Sequence, residues 1–319
     1  MATPVIVLGK QRSGTTWLAN QLCEHPQIAG VRHQAHLGIH ESVFFSYIYG
    51  RYGDIRNRSN FIEFAEVMAA SDYCRIAGIT REFLHGLWPT TYEAVFRAMH
   101  EFIAEQQGAP FWLEKSPTHA VWVNELADWY PDAKFVAVFR DLQQVVASDL
   151  RRFPDEHPDQ AARQATWRKR VILRTCFGRA YYNKMIRAFA RRHPDRIHLV
   201  RYSDMRADLE SVGRRICDFL GLEFDATMLG QSYPPNTSFT GGGRPRGDAV
   251  TGGERFLASC LGAAARIAPR RVLALAESRR SYRRRHRRPL PAWFFRLTTL
   301  PAEQSERAES EAAAAQPSP

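Results

Sequence analysis

The sequence is poor in cysteine and has no long apolar run. Cys23, Cys74, Cys176, Cys217 and Cys260 are odd in number and scattered, with no Cys-x-x-Cys pair among them. That fits reduced thiols in a cytoplasmic compartment better than a disulfide framework, and it offers no cysteine set for zinc. No stretch approaches the roughly twenty apolar residues of a membrane-spanning helix. The first strand starts almost at Met1, so no signal peptide or membrane anchor is expected ahead of it. Zinc-finger, basic-zipper and RNA-recognition signatures are missing, and so is the Gly-x-Gly-x-x-Gly fingerprint of dinucleotide binding. There is no internal repeat.

What remains is a globular composition of 319 residues, 45% apolar and 24% charged, enough for one large core with an appended piece. The net charge of +11 owes much to one run, Arg279 to Arg288. Outside that run the chain is only mildly basic, which suits a binder of a polyanionic cofactor better than a nucleic-acid partner. Three parts are expected: a folded domain over 1–276, a basic and aromatic extension over 277–300, and a disordered Ala-, Glu- and Ser-rich tail over 301–319.

Val5 to Leu8 reads as a buried strand and Thr15 to Glu24 as a helix. The turn between them carries Lys10, Arg12, Ser13 and Gly14. A strand, a small-residue turn and a helix N-terminus make an anion site, because backbone N–H groups and the helix dipole favour negative charge there. Gly9 and Gly14 keep the Walker A spacing, but Thr15 and Thr16 follow where Lys-Ser/Thr should be. An ordinary ATPase is therefore disfavoured. Further strands are predicted at 111–113, 134–139 and 197–200, alternating with helices at 118–129, from 141 to about 152, 160–191 and 209–220. The pattern predicts an α/β three-layer sandwich with a mostly parallel central sheet. Lys115, Arg140 and Tyr202 then lie just past strand ends, the edge where such sheets bind ligands.

Arg12-Ser-Gly-Thr-Thr-Trp17 after a strand resembles the 5′-phosphosulfate loop of sulfotransferases that use 3′-phosphoadenosine 5′-phosphosulfate (PAPS). Phe135-Val-Ala-Val-Phe-Arg140, with Ser148 on the next helix, is similar to that family's site for the 3′-phosphate. Glu114-Lys-Ser-Pro117 looks like the Glu-Lys-Thr/Ser-Pro segment of its bacterial and Golgi-type members. The resemblance covers about residues 4 to 240 and implies a P-loop NTPase-like sulfotransferase fold. It also implies PAPS as co-substrate, with no metal required. Lys10, Arg12, Ser13, Gly14, Thr15, Thr16 and Trp17 would hold the phosphosulfate and adenine, Arg140 and Ser148 the 3′-phosphate, and Tyr202 the adenine portion. Arg12 and Lys115 would stabilise the transferring group. The late glycine-rich loop departs from the cytosolic type's Arg-Lys-Gly pattern, so Ser238, Arg244 and Arg246 are looser assignments.

The acceptor's proton needs a base, and the family places one soon after the first helix. His33 falls close to the expected position, with His36, His40 and Glu41 as rivals in the same window. Three histidines could also ligate zinc, but no His-Glu-x-x-His motif supports it and sulfuryl transfer needs no metal. The acceptor is expected to be a small molecule, with a carbohydrate or lipid-linked hydroxyl preferred. A P-loop kinase is the rival enzyme class. The non-enzymatic rival is a module whose basic run, with Trp293, Phe294 and Phe295, docks on anionic membrane or nucleic acid. Peripheral membrane contact through that run is also compatible with an enzyme.

Overall fold

A computed structural model describes residues 1–36, 38–156, 164–230, 250–275 and 289–295. Its strands are β1 (Thr3–Gly9), β2 (Ile28–Ala29), β3 (Arg32–His33), β4 (Gly38–Ile39), β5 (Phe111–Glu114), β6 (Lys134–Phe139) and β7 (Ile197–Arg201). Val5, Ile6, Val7 and Leu8 are all buried because β1 has packed layers on both faces. Strand alternation sends Ile6 and Leu8 into one core and Val5 and Val7 into the other. In β6, Phe135 and Ala137 face the first core while Val136 and Val138 face the second.

The main sheet runs β2-β5-β1-β6-β7 with every pairing parallel, so the chain is α/β. Gly9 lies opposite Val138, Ile6 opposite Glu114 and Phe139 opposite Arg201, which brings four carboxyl ends to one edge. From β1 the chain goes out to β2 and β5, then crosses back past β1 to β6 and β7. That reversal puts the loop after β1 at the switch point, where open parallel sheets leave a crevice. β3 and β4 form a small antiparallel hairpin that the sequence pattern did not announce. It is held against the first helix by Asn20, whose side-chain oxygen accepts the Ile39 N–H at 2.7 Å.

A third apolar cluster joins the helices Leu142–Glu156, Gln164–Arg192 and Gly252–Ile267 through Val146, Trp167, Ile172 and Ala258. The helix Gly252–Ile267 ends there, and the chain turns helical again only over Arg270–Leu273. Pro269 explains the break, since it lacks an N–H and drives Ala268 to an extended ψ of 137°. Thr118 does not cap a helix. It lies inside a 3-10 turn, Pro117–Trp122, with its hydroxyl bonded to Ser46, and Val123–Trp129 continues as α-helix. Phe294 is buried in the first core, so this aromatic of the 293–295 group is committed to packing. The basic run, Arg279 to Arg288, lies outside the described residues. No helix among them is long and apolar enough to cross a membrane.

Candidate active site

The loop after β1 is tightened by the Ser13 N–H, which donates to the Lys10 carbonyl at 3.0 Å. Arg12 sits at φ 70°, a left-handed conformation rare for a side-chain-bearing residue. Gly14 follows at φ 96° and precedes the helix Thr15–Leu22. A Cβ on Gly14 would come within 2.4 Å of the Tyr202 ring, so only glycine lets β7's tip close over the loop. Gly14→Ala is therefore expected to lower stability by about 1–3 kcal/mol through overpacking alone. Thermal unfolding of that variant, alone and with Tyr202→Ala, should show partial recovery in the double variant.

Arg12 Nε donates to Ser148 Oγ at 3.0 Å, across 136 residues of sequence. Arg140 Nη1 donates to the Arg12 carbonyl at 2.9 Å, supporting the strained residue from behind. The Arg140 guanidinium also lies 4.0 Å from the Tyr202 ring centre, and Trp17 meets that ring edge-on at 5.8 Å. Arg140 and Ser148, which the resemblance assigns to one phosphate, are thus linked here through Arg12, whose side chain meets Ser148 and whose carbonyl meets Arg140. Burial lowers the Arg140 pKa from its usual value. Its nitrogens go to a carbonyl and to the Gln144 amide oxygen rather than to a carboxylate, which suits a site made for a further anion. The Arg140 carbonyl is in turn held by Arg179, whose Nε and Nη2 donate to it at 3.0 and 2.6 Å. Sequence reasoning missed Arg179, because nothing in a long basic helix distinguishes the one arginine that reaches a strand end. Lys10 is buried, with Nζ donating to Gln11 at 2.7 Å and lying 5.4 Å from the Tyr182 ring centre.

On the other side of β1, Lys115 is 1% exposed. Its Nζ donates to Thr16 Oγ1 at 3.0 Å and to Glu41 Oε1 at 2.6 Å. A buried ammonium needs such partners, and the pair joins the first helix to the segment after β4. The Glu41 side chain is 37% exposed, so its carboxylate faces both Lys115 and solvent. The histidines are placed differently. His33 and His36 have ring centres 6.4 Å apart, and His36 Nε2 lies 3.1 Å from Asp72 Oδ2. His40 is buried, and its pKa is pushed down to about 3, chiefly by burial and then by His36. Its Nδ1 lies 2.9 Å from the Glu41 carbonyl. Ser238, Arg244 and Arg246 fall outside the described residues.

One edge of the sheet therefore gathers a phosphate-type loop, two arginines from separate strand ends, a serine, an edge-on aromatic pair and a lysine–carboxylate pair. The family model for the sulfotransferase family matches residues 4–226. The chain belongs to the sulfotransferase family. Among solved structures, this sulfotransferase is similar to the sulfotransferase domain from the curacin biosynthetic pathway. Identity there is 18% over 98% of both chains, with a TM-score of 0.47. The sulfotransferase domain of the Synechococcus PCC 7002 olefin synthase gives 19% over 91% of this chain and 96% of that one, with a TM-score of 0.46. A sulfotransferase from Alicyclobacillus acidocaldarius gives 18% over 92% and 99%, with a TM-score of 0.44. No curated protein matches the chain.

Proposed function

We propose that this transferase moves the sulfuryl group of PAPS to a hydroxyl or amine of a small-molecule acceptor, with carbohydrate or lipid-linked hydroxyls preferred. The observation that carries this reading is the Arg12–Ser148 contact with Arg140 bound to the Arg12 backbone. It ties the loop after β1 to the tip of β6, as a nucleotide bearing phosphate at both ends requires. In this reading the loop N–H groups, Lys10, Ser13, Thr15 and Thr16 cradle the phosphosulfate. Arg140 and Ser148 hold the 3′-phosphate, and Trp17 and Tyr202 flank the adenine.

Sulfuryl transfer, like phosphoryl transfer, is a loose in-line displacement that depends on placed positive charge. Arg12 and Lys115 supply it, against the transferring oxygens and the bridging oxygen of the leaving nucleotide. Glu41 takes the acceptor's proton as the new S–O bond forms and the S–O bond to the nucleotide's phosphate breaks. It is preferred over His36, which is engaged with Asp72, and His40, which is buried, because its carboxylate is partly open to solvent beside the Lys115 ammonium. His33 is the rival base, and a pH–rate profile separates an imidazole from a carboxylate. The desulfated product, 3′-phosphoadenosine 5′-phosphate, should bind far more tightly than ATP, with no magnesium added. Equilibrium titration checks this. ATP binding that depends on magnesium and exceeds that of the bisphosphate would replace the reading with a P-loop kinase.

A further inference from the structure

His36, His40 and Asp72 each offer one ligand atom, and these atoms all lie within 4.8 Å of one another. Asp72 opens the helix Asp72–Ile76 and is fully buried at 0% exposure. The His36 and His40 rings are 3.9 Å apart. The tautomer of His40 follows from its partner. Nδ1 faces the Glu41 carbonyl, which only accepts, so Nδ1 carries the hydrogen and Nε2 the lone pair. That Nε2 is buried and has no hydrogen-bond partner among the described residues. A buried lone pair beside a buried carboxylate is unfavourable unless a proton or cation lies between them. Fixing an imidazole through a carbonyl on its other nitrogen is also how metal-binding histidines are oriented.

We propose that His36, His40 and Asp72 form a binding site for a divalent transition ion of the zinc class. Two imidazole nitrogens and a carboxylate oxygen suit zinc, whose bonds of about 2.0–2.2 Å set tetrahedral ligands roughly 3.3 Å apart. His36 Nε2 and Asp72 Oδ2 already stand 3.1 Å apart, so His40 alone has to close in. The ion takes the place of the hydrogen between His36 Nε2 and Asp72 Oδ2, which moves to His36 Nδ1 so that Nε2 offers its lone pair, and water completes the coordination. Magnesium and calcium, which favour all-oxygen shells, are poor fits. The site ends one residue before Glu41, so the ion would pin the segment carrying that carboxylate to a second element. It has no part in bond making. Spacing did not reveal the site, because Asp72 lies far along the chain from the two histidines.

The test uses the full chain, stripped by chelator and titrated with Zn²⁺ alone. One equivalent should bind and raise the unfolding temperature, and Co²⁺ should give the visible absorption of a tetrahedral site. His40→Gln and Asp72→Asn should each weaken Zn²⁺ binding by at least about tenfold. Should either buried variant unfold, His36→Gln at the half-buried ring gives the same readout. His85→Gln, which removes a surface partner of Glu66, should leave binding unchanged. A stripped wild-type protein whose unfolding temperature ignores Zn²⁺, or Zn²⁺ binding that survives all three site substitutions, overturns the proposal.

Discussion

Replacing Arg12 by glycine is expected to leave the fold standing while turnover falls about a hundredfold to a thousandfold, the usual effect of removing one preorganised donor at a developing charge. The two effects separate because of the backbone. Arg12 adopts φ 70°, which costs a side-chain-bearing residue roughly 1–2 kcal/mol and glycine almost nothing. Glycine in turn loses more conformational freedom on folding, by about 0.5–1 kcal/mol, so the two terms nearly cancel. The lost Arg12–Ser148 hydrogen bond is partly exposed and adds little. Arg12→Ala should show the same loss of turnover with somewhat lower stability, since it keeps the strain. Arg12→Lys retains a cation without the planar fork and should fall between wild type and Arg12→Gly. Turnover measured with labelled PAPS, beside thermal unfolding, checks all three. Near-normal turnover in Arg12→Gly would remove Arg12 from the chemistry.

The parts of this site legible in the sequence are those set by local chain geometry. The strand at Val5–Leu8, the glycines of the loop and the strand ending at Phe139 announce themselves through apolar runs followed by small or basic residues. Once the sheet is parallel, Lys115, Arg140 and Tyr202 must share an edge with the loop, whatever the intervening helices do. What stayed hidden depends on contacts between distant segments. The hairpin at 32–39 has strands of two residues each, too short for any alternation to show. It exists because Gly38 at φ 101° fits against Asn20, where a Cβ would come within 2.3 Å. Arg179, Asp72 and the mediation of Ser148 by Arg12 are hidden for the same reason. Among His33, His36, His40 and Glu41, residue type alone could not separate the candidates. Burial and partners do so in part, setting His40 apart as enclosed and His36 as engaged with Asp72, and the base proposed here is the carboxylate next to Lys115.

Glu114 is expected to matter for stability as much as Arg12 matters for turnover, although it is one residue from Lys115 and points away from the cleft. Its carboxylate is fully enclosed, with Oε1 accepting from Ser42 at 2.7 Å and Ser116 at 2.5 Å, and Oε2 lying 2.9 Å from His119 Nδ1. The Phe45 N–H donates to His119 Nε2 at 3.2 Å, which places the ring hydrogen on Nδ1, toward Glu114. Burial opposes ionisation, but His119 and the two hydroxyls outweigh it and hold the carboxyl well below its usual range. Glu114→Ala leaves those three donors stranded in the interior, at about 1–3 kcal/mol for each that finds no new partner, and should cost several kcal/mol in all. Glu114→Gln keeps the shape but turns an amide N–H toward one of the donors, for a smaller loss. The pH dependence separates charge from packing. A depressed folded-state pKa contributes stability that is fully present above the unfolded value of about 4.5 and is lost as pH falls toward about 2. Denaturant unfolding of wild type and Glu114→Gln should therefore differ most near neutral pH and converge on acidification. Ser116 also accepts the Val43 N–H at 2.9 Å, so the same network anchors the chain just beyond Glu41. Equal stability of the two proteins at neutral pH would mean that Glu114 fills space and that its charge holds nothing in place.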